Sequence, residues 1–240
     1  MAMLAALSAV AGFVDAACFL ALSQVFTAHV TGNFAALASA LVKLDAATGL
    51  RLAVIVSFAG GAISAVFVAH AVGGYEREVT STATAPARVR RAVMHAEATW
   101  LLFVLVAHAA LPGPLDPSHA LARYAVAIFA GAAMGCQSAL SRLPGDAALG
   151  APTTVMTSNF SGWAMALGQR LLRLPHDWHH PRDPHDPHDH TLTRLSLQLG
   201  LFILGAAAGA SGEHRFGVAV LAAPLAGLLI LGATRVSQAA

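Results

Sequence analysis

Polar residues that can bind a solute occur in two copies of one short pattern. HVTGNF occupies residues 29–34 and VMTSNF occupies residues 155–160, so that both copies contain T-x-N-F. A threonine hydroxyl and an asparagine amide each offer a hydrogen-bond donor and an acceptor. The pattern therefore predicts two related polar clusters that bind a small solute. The side chains concerned are Thr31, Asn33, Thr157 and Asn159.

Asp15 is a second candidate, because it stands inside an apolar segment just before the first copy. A carboxyl group at membrane depth is costly and is by default a functional residue. We expect Asp15 to line the solute site and to hold a proton or a cation. The alternative is a structural aspartate that a neighbouring group or helix amides neutralise. Gln137 takes the matching place before the second copy, so proton coupling would belong to one half only.

The T-x-N-F pattern allows two structural interpretations. Each copy can mark the N-terminus of a short or broken helix, with the threonines as N-cap candidates and the free amides and positive dipole end facing the solute. The N-cap candidates are Thr27, Thr31, Thr153 and Thr157. Alternatively, the same residues only join helices through hydrogen bonds of about 1 kcal/mol or less each. The sequence leaves both interpretations open.

The composition predicts that these residues lie in a membrane. Of 240 residues, 57% are hydrophobic and 11% are charged, and the mean hydropathy is +0.66. A soluble domain carries roughly 25% charged residues. Apolar segments recur along the chain, and an all-α bundle of 6 to 8 such segments satisfies its backbone hydrogen bonds in lipid. The predicted segments are 3–22, 30–42, 50–73, 96–111, 120–140, 156–172, 195–212 and 216–234.

The two T-x-N-F copies predict an internal duplication within a single membrane domain, residues 1–240. The first half covers about residues 3–111 and the second about 120–234. The expected site lies where the two halves meet, as in transporters built from repeats.

The number of spans depends on the segments at 30–42 and 156–172. If both cross the membrane, there are eight spans and parallel halves, and two basic loops lie on opposite sides, against the positive-inside rule. If both are half-helices, six spans remain, the halves are inverted and both basic loops are cytoplasmic. We favour six spans. The basic loops contain Arg77, Arg88, Arg90 and Arg91, and Arg170, Arg173, Arg182 and Arg194.

A His/Asp/Pro-rich loop at residues 175–193 interrupts the second half. Imidazole and carboxylate groups suit Zn, Ni or Cu, so weak metal binding is one interpretation of this loop, as an accessory property. The ligand spacing is not of the zinc-finger type, and the alternative is a polar connector in which proline prevents a helix. No other cofactor is expected. The metal candidates are His176, His179, His180, His185, His188 and His190.

Sequence motifs of enzymes are absent, including phosphate-binding loops, nucleophile elbows and zinc-protease signatures. We therefore expect no enzymatic activity. The Arg88–Arg91 cluster lacks interleaved aromatic residues, so attraction to a membrane surface explains it better than nucleic acid does. Glu97 is expected near the end of a span, at the membrane interface. Small-residue helix faces permit a homo-oligomer.

Two stretches of the sequence resemble the YoaK-like family of bacterial integral membrane proteins, long catalogued as a domain of unknown function. GFVDAACFLAL and VFTAHVTGNF at residues 12–34 resemble it, and so do AMGCQSALSRL and TTVMT at residues 133–157. His29 and the His-rich loop depart from the family pattern. The resemblance implies a multi-pass protein of the bacterial cytoplasmic (inner) membrane and implies no particular substrate.

The sequence thus predicts a small-solute transporter or channel whose site lies at the interface of two halves, with the lipid bilayer and an unknown solute as partners. The alternative is a membrane scaffold or regulator that transports nothing. Metal-ion handling through the His-rich loop is a minor variant of the first prediction.

Overall fold

The computed structural model describes residues 2–43, 47–72, 87–111, 113, 115, 117–142, 153–177 and 187–233, and the described regular structure is helical. The prediction of an all-α protein is therefore confirmed for this part of the chain. The α-helices are α1 (Ala2–Ala21), α2 (Val30–Lys43), α3 (Thr48–Ala71), α4 (Ala87–Ala110), α5 (Ala120–Leu140), α6 (Met156–Asp177), α7 (Pro187–Phe216) and α8 (Ala222–Ala233).

Five described segments are long and apolar enough to cross a membrane. They are Met3–Ala21, Thr48–Ala71, Ala87–Ala110, Pro117–Leu140 and His190–Ala233. Large apolar side chains remain exposed on them, among them Phe67 and Leu204. Such outward apolar surface is what lipid tails would cover. The chain is therefore a multi-pass membrane protein, and α2 and α6 are not among these five segments.

The last of the five segments contains a break. Gly217 has φ +58°, a left-handed conformation that glycine adopts without the steric cost of a Cβ atom. A short 3-10 turn over Gly217–Leu221 follows and leads into α8. The chain leaves α7 at this point and packs α8 against α4.

Helix pairs approach closely where glycine removes the side chain. A Cβ atom on Gly205 of α7 would overlap the carbonyl of Ala9 in α1, and one on Gly209 would overlap the carbonyl of Phe13. Because the contacts advance together along both chains, α1 and α7 are parallel. This small-residue packing is the usual way in which membrane helices associate.

α3 and α5 form a second parallel pair of the same kind. A Cβ atom on Gly135 of α5 would overlap the carbonyl of Phe58 in α3, and Gly131 lies against Val54 one turn earlier. A Cβ atom on Gly61 of α3 would in turn overlap the carbonyl of Ala132.

α1 and α5 run in opposite directions. Gln137 Nε2 donates to the carbonyl of Leu7 at 2.6 Å, and Arg123 Nη2 donates to the carbonyl of Leu22 at 3.3 Å. The later residue of α5 thus contacts the earlier residue of α1. Arg123 is 6% exposed and places a positive charge at the C-terminal end of α1, where it complements the helix dipole.

Several boundaries differ from the sequence prediction. α4 begins at residue 87, nine residues before the predicted apolar segment, because its first turns are polar but still helical. The alternative interpretation, in which proline excludes helix from residues 175–190, is wrong at both flanks. α6 continues through Pro175 to Asp177, and α7 begins at Pro187. Proline fits the first turn of a helix because the amide hydrogen that it lacks has no intrahelical acceptor there.

Candidate functional site

A large cavity lies where α1, α3 and α7 meet the N-termini of α2 and α6. Its volume is about 1420 Å³, and most of its wall is apolar, with Phe19, Phe58 and Phe202 among the lining residues. The cavity has the character of a ligand site, an apolar space with a few polar groups at defined positions. Those polar groups are Asp15, His29, Thr31, Ser138, Arg142, Thr154, Thr157, Ser158 and Ser161.

The carboxylate of Asp15 holds the segment that enters α2. Oδ1 accepts hydrogen bonds from the amides of Thr27 at 2.8 Å and Ala28 at 2.7 Å, and the Thr27 hydroxyl lies 3.4 Å away. Asp15 is 4% exposed, so these bonds form away from water. A carboxylate that accepts several such bonds keeps its charge at a tolerable cost. Asp15 lines the cavity as predicted, but its Oδ1 atom is engaged within the protein.

The other oxygen of Asp15 pairs with His29. Nδ1 of His29 lies 2.5 Å from Oδ2 of Asp15. His29 belongs to the connection between α1 and α2, outside the membrane-spanning helices. The hydrogen bond that His29 donates to the Asp15 carboxylate raises the pKa of His29 above its usual value, although partial burial opposes the shift. With Nδ1 directed to Asp15, Nε2 is the ring nitrogen left to interact with the cavity.

Two aromatic side chains fix the His29 ring. The centroid of Phe26 lies 5.7 Å from that of His29, and the centroid of Phe202 lies 5.5 Å away on α7, nearly perpendicular. The His29 ring therefore lies between the connection before α2 and α7.

Thr31 and Asn33 of the first T-x-N-F copy have different surroundings in the structure. Thr31 is exposed and lines the cavity. Asn33 is fully buried and bonds to the backbone of Phe26, accepting its amide at 3.1 Å and donating to its carbonyl at 2.5 Å. Asn33 thus closes the turn before α2, and it is not among the lining residues. This contact is local to the segment that enters α2 and joins no two helices, so it supports neither interpretation of the pattern.

The second copy divides in the same way. Thr157 lines the cavity, whereas Asn159 is fully buried and is not a lining residue. Gln137, 1% exposed, donates through Nε2 to Thr153 Oγ1 at 2.7 Å as well as to Leu7. Gln137 is not a lining residue either, but Ser138 beside it is. Three of the six predicted solute ligands therefore line the cavity, namely Asp15, Thr31 and Thr157.

The N-cap prediction is wrong for Thr31 and Thr157. α2 begins at Val30 and α6 begins at Met156, so both threonines lie inside the first helical turn. The sequence pattern located the two helix starts to within two residues but misplaced the residue before each start.

The predicted metal ligands fall mostly outside the described side chains. His179, His180 and His185 lie outside the described residues, and of His176 and His188 only the helical backbone is described. His190 is exposed at the start of α7. Among the described residues, no group of three or more His, Cys, Asp or Glu side chains could hold a metal ion. The metal prediction thus stays a prediction.

Six polar residues of the cavity wall were not among the predicted solute ligands, and Arg142 and Thr154 are two of them. Arg142 follows α5 and lines the cavity, and Thr154 lines it just before α6. Both lie in the stretches AMGCQSALSRL and TTVMT that carry the family resemblance, so the resemblance could have identified them as candidates. Thr154 is 2% exposed, and its hydroxyl has no hydrogen-bond partner among the described residues.

Glu97 does not lie where the sequence suggested. It was expected near the end of a span, but it stands in the middle of α4 and is fully buried. Neither carboxyl oxygen has a hydrogen-bond partner in the described part of the chain. Glu97 does not line the cavity, so it forms a separate buried acid.

Comparison with known proteins identifies one family. The profile described as "Protein of unknown function (DUF1275)" matches residues 3–234 of the chain. YoaK-like proteins are members of that family, so the resemblance found in the sequence is confirmed. No curated protein and no solved structure matches the chain.

Proposed function

We propose that this chain, which belongs to the DUF1275 family of proteins of unknown function, is a small-solute transporter or channel of the bacterial inner membrane. The observation that carries the proposal is the cavity of about 1420 Å³ on which the N-termini of α2 and α6 converge. Helices that begin at a central cavity direct free amides and a positive dipole end toward a bound solute. Transporters built from repeats hold their solutes in this manner near the middle of the bilayer.

Two inverted halves account best for the helix packing. The first helix of each half packs in parallel on the third helix of the other, α1 with α7 and α5 with α3. The two helix pairs have matching glycine contacts. Gly12 of α1 lies against the Phe202 carbonyl of α7, and Gly135 of α5 lies against the Phe58 carbonyl of α3. This packing is expected if the sequence was duplicated and the first helix of each half then packed on the third helix of the other half.

The opposed directions of α1 and α5 favour six spans. With α2 and α6 as re-entrant half-helices, α1 and α5 are the first and fourth crossings and are antiparallel. With eight alternating crossings they would be the first and fifth and would be parallel. The bonds from Gln137 to Leu7 and from Arg123 to Leu22 fit the six-span arrangement, which also keeps both basic loops cytoplasmic.

The mechanism proposed is exchange of access to the cavity as the two halves rearrange, or a fixed path if transport is uncoupled. Asp15 and His29 together hold a proton at the cavity wall, and Phe202 joins this pair to α7 of the other half. The chain is proposed to have no enzymatic role and no cofactor. Metal handling by the His-rich loop is a minor variant, which deletion of residues 175–190 tests through metal affinity.

One observation favours a second candidate function, a scaffold or regulator that transports nothing. Asn33 and Gln137 direct their hydrogen bonds to the backbone of Phe26 and Leu7, so these two predicted solute ligands join parts of the protein. The lining of the cavity by Thr31, Thr157 and Arg142 is the reason that transport is preferred.

Solute flux in proteoliposomes distinguishes the two. Stopped-flow light scattering after an osmotic shift would report the entry of small polyols, amino acids and sodium carboxylates. Ala35→Trp fills the cavity, because Ala35 is exposed on its wall, and should abolish flux. Ala38→Trp is the matched control, since Ala38 is exposed on the same helix and is not a lining residue. Equal flux in both variants, or none in the unmodified protein, would contradict transport.

A further inference from the structure

The α2 end of the cavity already contains an anion. The Asp15 carboxylate accepts the Thr27 and Ala28 amides just before α2, where unpaired amides and the helix dipole favour negative charge. The protein thus supplies its own ligand for this position in the first half.

The α6 end has no such internal anion. Asp15 follows Gly12 of α1 by three residues. Gly135 of α5 makes the matching contact, and Ser138 follows it by three residues. Gln137 beside it is neutral and bonds to Thr153 Oγ1. Among the residues described on the cavity wall, Asp15 is the only acidic side chain. The start of α6 is therefore the corresponding position without a carboxylate.

Two further observations indicate that a ligand belongs there. The Thr154 hydroxyl is buried at the cavity and has no partner among the described residues, a state that costs free energy unless a ligand completes it. Arg142 lines the same wall, and no ion pair is found for it in the described part of the chain. Arginine binds carboxylates through two parallel hydrogen bonds, which are stronger than those between neutral groups.

We propose that the N-terminus of α6, with Arg142 and Thr154, binds the carboxylate group of the transported solute. This group takes the place at α6 that the Asp15 carboxylate takes at α2. The rest of the solute lies against Phe58, Ile63 and Phe202, so it has an apolar body. The solute class is a monocarboxylate with an apolar or aromatic body. That the bound solute is also transported rests on the proposed function. That its carboxylate binds here rests on the cavity alone.

An amine or an inorganic anion fits this wall less well. Arg142 and the positive end of α6 repel a cation. Inorganic phosphate would leave the phenylalanine wall without a partner and is expected to bind far more weakly than a carboxylate with an aromatic ring.

Binding is tested by thermal unfolding of the purified protein in lipid nanodiscs, which requires no transport. Sodium benzoate is the probe, and benzyl alcohol, benzylamine, acetate and inorganic phosphate are its comparisons. A ligand that binds only the folded state raises Tm in proportion to the logarithm of its concentration above Kd. We expect benzoate to raise Tm and the four comparison compounds to have little or no effect. An equal shift with benzyl alcohol or benzylamine, or with phosphate, would overturn the carboxylate assignment.

Two variants locate the site. Arg142→Gln should weaken benzoate binding about tenfold or more, as expected for loss of a charged hydrogen-bond partner. Arg215→Gln, at an exposed position outside the cavity, should leave it unchanged. Ser138→Asp should remove benzoate binding because the new carboxylate occupies the start of α6, whereas Ser138→Asn should retain most of it. Unchanged benzoate affinity in both Arg142→Gln and Ser138→Asp would refute the inference.

The outcome is separable from that of the flux experiment. Benzoate binding without flux of any solute would sustain this site and refute transport. Flux of polyols or amino acids without benzoate binding would sustain transport and refute this site.

Discussion

Asp15 and His29 are 14 residues apart in the chain, yet Oδ2 of Asp15 lies 2.5 Å from Nδ1 of His29 at the cavity wall. The same carboxylate binds the amides before α2 through Oδ1. One acid therefore fixes the start of α2 and orients an imidazole. Because Asp15 has both roles, substitution of a neighbouring residue should affect either the start of α2 or the His29 imidazole.

The His29 pair predicts a pH-dependent stability. The folded-state pKa of His29 is raised above 6.5, so the contribution of its protonated form is fully present below about pH 6.5 and is lost as pH rises through the folded-state pKa. The difference in Tm between unmodified protein and His29→Gln should be largest below pH 6.5 and should shrink as pH rises through the folded-state pKa of His29. His214→Gln, at an exposed position, should show no such trend. A difference that grows with pH would contradict the assignment.

Asn33 and Thr31 should separate stability from solute binding. Asn33→Ala leaves the partly buried amide and carbonyl of Phe26 without their partner, and each loss costs about 1 kcal/mol. We expect a clear drop in Tm, measured in nanodiscs. Thr31→Ala changes an exposed cavity residue and should leave Tm nearly constant while altering flux. Comparable Tm values for the two variants would show that the Asn33 contact is unimportant.

Adjacent glycines of α3 provide a test of the close helix contact. Gly61→Ala places a methyl group on the carbonyl of Ala132, so α3 and α5 must separate at a cost of about 1–3 kcal/mol. Gly60→Ala meets nothing within 4 Å and should stabilise the helix by roughly 0.5–1 kcal/mol. Unfolding temperatures of the two variants should move in opposite directions, and a common direction would argue against this packing.

Glu97 should behave as a neutral acid. An unpaired carboxylate in a buried position costs several kcal/mol, so the protonated form is expected at this position in the middle of α4. Glu97→Gln should therefore keep or raise Tm. N,N′-dicyclohexylcarbodiimide, which reacts with protonated carboxyls in apolar surroundings, should label Glu97 and spare Glu213, as read by peptide mass spectrometry. Labelling of Glu213 alone would show that Glu97 is ionised or inaccessible.

Labelling of single cysteines should report the number of spans. On a background without Cys18 and Cys136, cysteines would replace Arg88, Ser118 and His190, which are all exposed. With six spans, an impermeant maleimide applied to intact cells should label only position 118. With eight spans, positions 118 and 190 share a side and position 88 stands apart. The second pattern would refute the inverted halves.

Local sequence patterns were enough to predict the class of the protein and the starts of two helices, α2 and α6. A low charge content and repeated apolar segments indicate a membrane protein. Such segments form helices, because a helix satisfies its own backbone hydrogen bonds in lipid. The two T-x-N-F copies located the starts of α2 and α6, because the same local pattern forms the same local structure. These are short-range properties, and the sequence contains them directly.

Only the tertiary structure decided which polar residues line the cavity. Thr31 and Asn33 are two residues apart, and yet one lines the cavity and the other binds Phe26. Arg142 and Thr154 line it without matching the pattern, and Glu97 is buried in the middle of a helix whose polar first turn hid its true start. These outcomes depend on which helix faces meet, and glycine contacts between distant segments set those faces. A one-dimensional pattern does not specify that geometry.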